Sequence, residues 1–429
     1  MQSRRADLLF SYYYSPEWDA SELALGWNMY NPATEYARMG LRLDGSGKWR
    51  NTGLNTEYAA IPTYPSYLVV PSAITDEQIL QVLAYRSRGR FPAVAWLHAI
   101  RGCALLRSSQ PKSGITRNRN DADEALIRAC AASGGSPGLI LDARPRNAAL
   151  GNSVKGYGFE NAANYEGYDL EFCGIDNIHS VRESHEKLRS VLADLRSEKW
   201  LSLLEATGWL QFQVLLIKAA VRCCDLLWNG GTVLVHCSDG WDRTAQITSL
   251  AQILADPYYR TLEGFMVLIE KEWLSFGFRF STRCGHIGQV NENVSPIFLQ
   301  FLETVWQLLS QFPSSFEFDE DFLLLLADSC FSCRFGTFLY DCERERKEMQ
   351  LKDRTISVWS HVLRHRRSFV SPIFKANPDW LKPDPSLRRM RLWERFYMKG
   401  QGQGSERILF KRKFIAMELP VVTDPEDMQ

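Results

Sequence analysis

The stretch Thr232-Val233-Leu234-Val235-His236-Cys237-Ser238-Asp239-Gly240-Trp241-Asp242-Arg243-Thr244 opens as a compact β-branched strand and closes as the start of a helix. Ala245, Ile247, Leu250, Ala251 and Leu254 continue it with apolar residues at helical spacing as far as Ala255. A strand–loop–helix unit of this kind aims successive backbone N–H groups, and the positive end of the helix dipole, at the centre of its loop, a geometry that binds oxyanions. Cys237 and Arg243 stand six residues apart. Five intervening residues can curl into a cradle about one phosphate, with the cysteine at its floor and the planar guanidinium returning at the rim to hold two oxygens. Gly240 permits the backbone turn that points the N–H groups inward. A helix N-terminus beside a cation stabilises a thiolate, so the pattern makes Cys237 a nucleophile that needs no neighbouring base, and Thr244 can hydrogen-bond its sulfur as it leaves. A buried inert thiol is the commoner fate of an intracellular cysteine. Here His, Cys, Gly, Arg and Thr all fall at the required offsets in the required strand–helix context, which favours the reactive reading.

Outward from this unit, strands and helices alternate. Upstream, Leu210, Val214, Ile217, Val221 and Cys224 form one stripe of a helix whose other faces carry Gln213, Lys218, Arg222 and Asp225, so it is expected to pack on one side only. Further upstream, Tyr67–Pro71, Arg90–Leu97, Gly138–Asp142 and Tyr168–Cys173 read as strands, and 76–87 and 181–196 as helices. The first two strands with their helix have the length of a parallel βαβ unit. Arg107–Asp123 reads as a polar surface loop and Gly151–Phe159 as a glycine-bearing loop. Beyond Ser295 the pattern turns helical, over Ile297–Phe312 and Phe322–Phe335. The expected fold is α/β, with a central, mostly parallel sheet covered on both faces, Thr232–Val235 central in it, and a helical C-terminal part.

The 429 residues hold 50 Lys+Arg against 50 Asp+Glu. A neutral chain lacks the cation excess of a general nucleic-acid binder, so no nucleic-acid partner is expected. Ten cysteines are too sparse for a disulfide scaffold. The N-terminus carries no sustained apolar segment for secretion, and no run is long enough to span a membrane. A reduced, cytosolic protein is expected. Sixteen Lys+Arg against five Asp+Glu lie between Leu351 and Lys413, either a solvated face or a surface for anionic membranes. Gly400–Ser405 reads as a linker.

The string His236–Thr244, with its tryptophan and two aspartates, resembles the active-site signature of the myotubularin phosphoinositide phosphatases, within the cysteine-based protein tyrosine phosphatase superfamily. The likeness extends, in order, through Gly26-Trp27, Tyr64-Pro65, Gly89-Arg90-Phe91-Pro92, Asp142-Ala143-Arg144-Pro145, Asn177-Ile178-His179, Glu272–Gly277, Ser295-Pro296, Phe335–Phe338 and Leu392-Trp393, and covers roughly residues 8 to 398. It implies a protein tyrosine phosphatase-like fold over 1–400, a flexible linker and tail over 401–429, and no PH-GRAM domain in this chain. It also implies an enzyme that removes the 3-phosphate of phosphatidylinositol 3-phosphate and 3,5-bisphosphate through a phospho-cysteine, without metal or cofactor, cytoplasmic and peripheral to endosomal membranes, with oligomerisation left open.

By the same resemblance Cys237 is the nucleophile, Arg243 the phosphate clamp and Asp242 the acid that protonates the leaving inositol oxygen. Asp239 orients the loop or assists the second step, while Ser238, Gly240, Trp241 and Thr244 complete the cradle. Arg279 and Arg283, four apart and so on one face if helical, match basic residues that contact a second phosphate; ordinary surface ion pairs are the plain alternative. Asn152, Asn177 and Ile178 match positions lining the head-group pocket, although loop asparagines more often serve turns. Cys330 and Cys333 have CxxC spacing but no second ligand pair, and His361 with His365 lacks a zinc-protease glutamate, so both pairs are read as packing. Two other functions fit the cradle: a protein tyrosine or dual-specificity phosphatase, and a non-catalytic adaptor that only holds a phosphoinositide.

Overall fold

A computed structural model describes residues 8–398, apart from 44, 46, 132–135 and 287–290. The 401–429 linker and tail, and the boundary at 400, lie outside the described residues. Among the described residues seven strands form two sheets: β1 (Trp49–Thr52), β2 (Leu68–Pro71), β3 (Ala93–Leu97), β4 (Ala104–Ser109), β5 (Gly138–Asp142), β6 (Tyr168–Phe172) and β7 (Val233–Cys237). The five-stranded sheet runs β3-β4-β7-β5-β6, parallel throughout except for the antiparallel β3–β4 pair. Every residue of β3, β4, β5 and β7 is buried, as expected of strands covered on both faces. The sheet is therefore α/β and mostly parallel, flanked by helices, with β7 at its centre.

The helices that position the site are α1 (Asp76–Tyr85), α2 (Asp121–Cys130), α3 (Arg146–Ser153), α4 (Ile178–Ala193), α5 (Trp209–Trp228), α6 (Arg243–Ala255), α7 (Ile297–Gln311) and α8 (Glu320–Ser332). Reciprocal hydrogen bonds between Thr75 and Gln78 start α1 as a capping box. All thirteen residues of α6 are buried, and it packs on α5, α7, β4 and β7. Two of its buried polar side chains are engaged with neighbouring elements: the Gln246 amide donates to Gln300 at 2.7 Å and the Thr248 hydroxyl to Glu272 at 2.7 Å.

Four expectations are corrected. The segment 67–97 is not a parallel βαβ unit, because β2 pairs antiparallel with β1 in a separate two-stranded sheet while β3 joins the large sheet antiparallel to β4. Arg107–Asp123 is not a surface loop throughout: its start is the buried end of β4 and its last residues open α2. Gly151–Phe159 does not begin as a loop, since α3 runs through Ser153 and places Asn152 on a helix. The helix α5 is buried on more than its predicted stripe, with Gln213 fully enclosed and Thr304 of α7 donating to its amide oxygen.

Candidate active site

Cys237, 2% exposed, ends the central strand β7, and Ser238–Asp242 curve over it into α6. The cradle is held from behind. Gly240 has φ +77°, and its carbonyl faces outward to accept hydrogen bonds from Arg90 and Arg107, each at 3.0 Å. Turning that carbonyl away from the loop centre leaves N–H groups to face inward. Arg90 also donates to the Phe276 carbonyl at 2.8 Å, and Arg107 to the Glu272 carboxylate at 2.8 Å. Asp239 accepts from the Ser87 hydroxyl at 2.9 Å, an anchor suited to orienting the loop. Asp242 occupies the N-cap position of α6 without capping it, so the first N–H groups of this helix keep no side-chain partner.

The strand end beneath the loop carries a charged network with no exposed side chain. His236 points Nδ1 at the Cys237 carbonyl oxygen, 3.2 Å away, and Nε2 at Glu160 Oε2, 2.8 Å away though not squarely aimed. Both ring nitrogens thus face acceptors, which suits an imidazolium. Burial opposes that charge, but Glu160 and then Asp142 outweigh it and raise the His236 pKa. Arg86 bridges Glu160 at 2.5 Å to Asp123 at 2.5 and 2.7 Å, and the Tyr165 hydroxyl donates to Asp123. Burial pushes the Glu160 carboxyl up, yet His236 and Arg86 together hold it well below the usual range.

Above Cys237 lies a pocket of about 320 Å³, lined by residues of the cradle, α3, the start of α4, Arg144 and Arg283. Cys237, Ser238, Asp239, Trp241, Asp242 and Arg243 all line it, as do Asn152, Asn177 and Ile178. Arg243 donates to the Ile175 carbonyl at 2.9 Å. Thr244 is buried and its hydroxyl has no protein partner, so the expected bond to the sulfur is not formed in this state. The Asn152 amide donates to Gln110 at 3.3 Å, and Asn177 caps α4 through bonds from the His179 and Ser180 N–H groups. Turn chemistry thus accounts for the Asn177 side chain, although the residue also lines the pocket.

Arg279 and Arg283 part company. Arg279 lies just before the short helix Phe280–Cys284 with non-helical backbone, so the two do not share a helical face. It sits 3.4 Å from Asp341 and 5.3 Å from the Trp241 ring centre. Arg283 lines the pocket and grips both carboxylate oxygens of Asp242, at 2.8 and 2.9 Å. Sequence reading missed four further site arginines, Arg86, Arg90, Arg107 and Arg144. Arg144 lines the pocket while paired to Asp142 at 2.7 Å, and only its place in the Asp142–Pro145 string hinted at it. Cys330 and Cys333 are buried free thiols, and His361 stacks on Trp18.

Residues 9–347 match the family model described as Myotubularin-like phosphatase domain. Over 382 residues, 87% of this chain, the sequence is 42% identical to myotubularin of Xenopus laevis and 41% identical to phosphatidylinositol-3,5-bisphosphate 3-phosphatase MTMR2 of Mus musculus. These stretches are 63% and 59% of the two relatives, so the chain spans about three fifths of their length. With a cysteine at the floor of the cradle on the central strand and a likeness that runs through most of its length, the chain belongs to the myotubularin family.

Proposed function

We propose that this protein is a phosphoinositide 3-phosphatase that acts on phosphatidylinositol 3-phosphate and phosphatidylinositol 3,5-bisphosphate. The observation that carries the reading is Cys237 at the floor of a pocket that also receives Arg243 and the uncapped start of α6. MTMR2 of Mus musculus bears the name of the 3,5-bisphosphate reaction, which supports the substrate class. In the first step the Cys237 thiolate attacks phosphorus, the bond from phosphorus to the inositol oxygen breaks, and Asp242 gives that oxygen its proton. Water then attacks the phospho-cysteine, passing a proton to Asp242, and inorganic phosphate leaves with the thiolate restored. Arg243 and the loop N–H groups hold the three equatorial oxygens throughout.

Arg283 gives the second phosphate a role. It holds both oxygens of Asp242 in the free protein, and the carboxylate can take up the proton that it later delivers only once one oxygen is released. The 5-phosphate on the same inositol ring competes for this guanidinium. Such a substrate places the protein peripherally at membranes that carry 3-phosphorylated lipid, endosomal ones included. Among the described residues no helix is long and apolar enough to cross a membrane.

The test is phosphate release from short-chain phosphatidylinositol 3-phosphate. Cys237→Ser should lower the rate by roughly a thousandfold or more, and equal rates in wild type and variant would remove Cys237 from the mechanism. Release from phosphotyrosine peptides but not from the lipid would replace the substrate class. Tight binding without turnover would favour an adaptor.

A further inference from the structure

Two segments leave the carboxyl end of the large sheet beside the cradle. Residues 110–120 follow β4 and residues 143–159 follow β5, and both strands run parallel to β7, which ends at Cys237. The segments are joined, since the Gly114 N–H donates to the Tyr157 carbonyl at 2.9 Å. On them three aliphatic side chains face solvent: Ile115 is 71% exposed, Leu150 50% and Val154 74%. Leu150 and Val154 are four apart along α3, on a flank of the helix away from the Ala148 and Asn152 positions that line the pocket. A single exposed aliphatic residue needs no explanation. Three on joined segments at the mouth of one pocket differ from that background, and so does their charge.

Neither 111–120 nor 143–159 contains an Asp or Glu. Exposed Lys112, Arg117, Arg146 and Lys155 lie on the same segments; none of the four has a carboxylate partner among the described residues, and Lys112 donates to the Ala84 carbonyl at 2.9 Å. Among the described residues, exposed Arg119 of these segments is neutralised by Glu124 at 2.7 Å, and buried Arg144 by Asp142 at 2.7 Å. In the basic C-terminal part Arg364, Arg366, Arg388 and Arg395 face carboxylates, while Arg367, Lys375 and Lys382 face none among the described residues and have no exposed aliphatic cluster at a pocket mouth beside them. Exposed aliphatic side chains on segments whose exposed cations mostly lack carboxylate partners match the interface of an anionic bilayer, with apolar groups entering the acyl boundary and ammonium or guanidinium groups at the lipid phosphates.

We propose that this end of the molecule docks on anionic membranes, with Ile115, Leu150 and Val154 entering the bilayer interface and Arg117, Arg146 and Lys155 contacting lipid head groups. The proposal rests on the reading of the pocket as a lipid phosphatase site, since docking there brings the pocket mouth to the head-group layer. It needs no phosphoinositide in the pocket, so the two can fail separately.

The experiment measures co-sedimentation with phosphatidylcholine vesicles containing phosphatidylserine and no phosphoinositide, alongside turnover of soluble short-chain phosphatidylinositol 3-phosphate. The variant Ile115→Ser/Leu150→Ser/Val154→Ser should bind vesicles roughly tenfold or more weakly. Arg117→Glu/Lys155→Glu should lose at least roughly fivefold per cation, and raised salt should weaken wild-type binding. Both variants should keep the wild-type melting temperature and short-chain rate. Vesicle binding equal to wild type in both variants would overturn the docking face, as would a wild type that ignores anionic vesicles. A variant that stays folded but loses short-chain turnover would also overturn it, by placing those side chains in the pocket's chemistry. If wild type leaves the short-chain lipid intact while the variants still lose vesicle binding, the phosphatase reading falls and the docking face stands.

Discussion

A β-carbon on Gly240 would stand 2.4 Å from the Ser108 carbonyl oxygen, and the residue already holds φ +77°. Gly240→Ala should therefore force the cradle off the end of β4, with strain on the order of 1–3 kcal/mol. A lowered melting temperature with at least a tenfold loss of kcat would bear that out, and wild-type kinetics would refute it. Arg283→Ala should slow the bisphosphate more than the monophosphate, read from kcat/KM on the two short-chain lipids. Equal loss on both would confine Arg283 to holding Asp242. His236 gives a pH prediction. Its pKa is raised in the fold, so its ion pair contributes fully below the ordinary imidazole value of about 6.5 and is lost as pH climbs through the folded pKa. Glu160→Gln should lower stability most near and below neutral pH and flatten that decline, which denaturant titrations across pH will show. Cys237, Asp242 and Arg243 were legible together because all three stand in one short strand–loop–helix stretch. Arg90 and Arg107 were not, because the carbonyl they hold is more than a hundred residues away.

At the scale of elements, β4 shows why polarity misled. Arg107-Ser108-Ser109 reads as solvated, yet Arg107 reaches Glu272 and the Gly240 carbonyl, the Ser108 hydroxyl donates to the Arg90 carbonyl at 3.0 Å, and the Ser109 hydroxyl to the Ser87 carbonyl at 2.7 Å. The strand spends its polar half fastening the loop, a need that no hydropathy pattern encodes. Arg107→Met would leave Glu272 buried without its cation, at a cost of about 3–5 kcal/mol. Denaturant unfolding measures it, and a cost under about 1 kcal/mol would show the pair to be dispensable. By contrast β5, β6, β7, α5, α7 and α8 were legible, because apolar runs bounded by turn residues fix element type locally. What periodicity could not supply was pairing: β2 has the composition of a sheet-core strand but finds its partner in β1.

Across the whole molecule, Glu303 ties distant parts together. Its Oε2 accepts from Trp209 of α5 at 2.8 Å and from the Tyr397 hydroxyl at 2.7 Å, and burial pushes its carboxyl up to about 7. The folded protein thus keeps a proton there that the unfolded chain releases near the ordinary value of about 4.3. Stability should fall as pH rises from there towards 7 and level off above it. Glu303→Gln should remove that fall and gain about 1–3 kcal/mol over wild type at alkaline pH, measured by denaturant unfolding; a variant less stable than wild type at alkaline pH would refute it.

The outward carbonyl of Gly240 has one more consequence. Its two guanidinium props come from the two arms of the β3–β4 hairpin at its open end, and one of them is itself fastened at Phe276. For the proposed phosphatase, catalytic competence would therefore be a late event in the life of each newly made molecule, waiting on closures between segments far apart along the polypeptide. On dilution from denaturant, turnover should return after the far-ultraviolet helical signal, and fragments that stop short of Phe276 should acquire helices without acquiring activity.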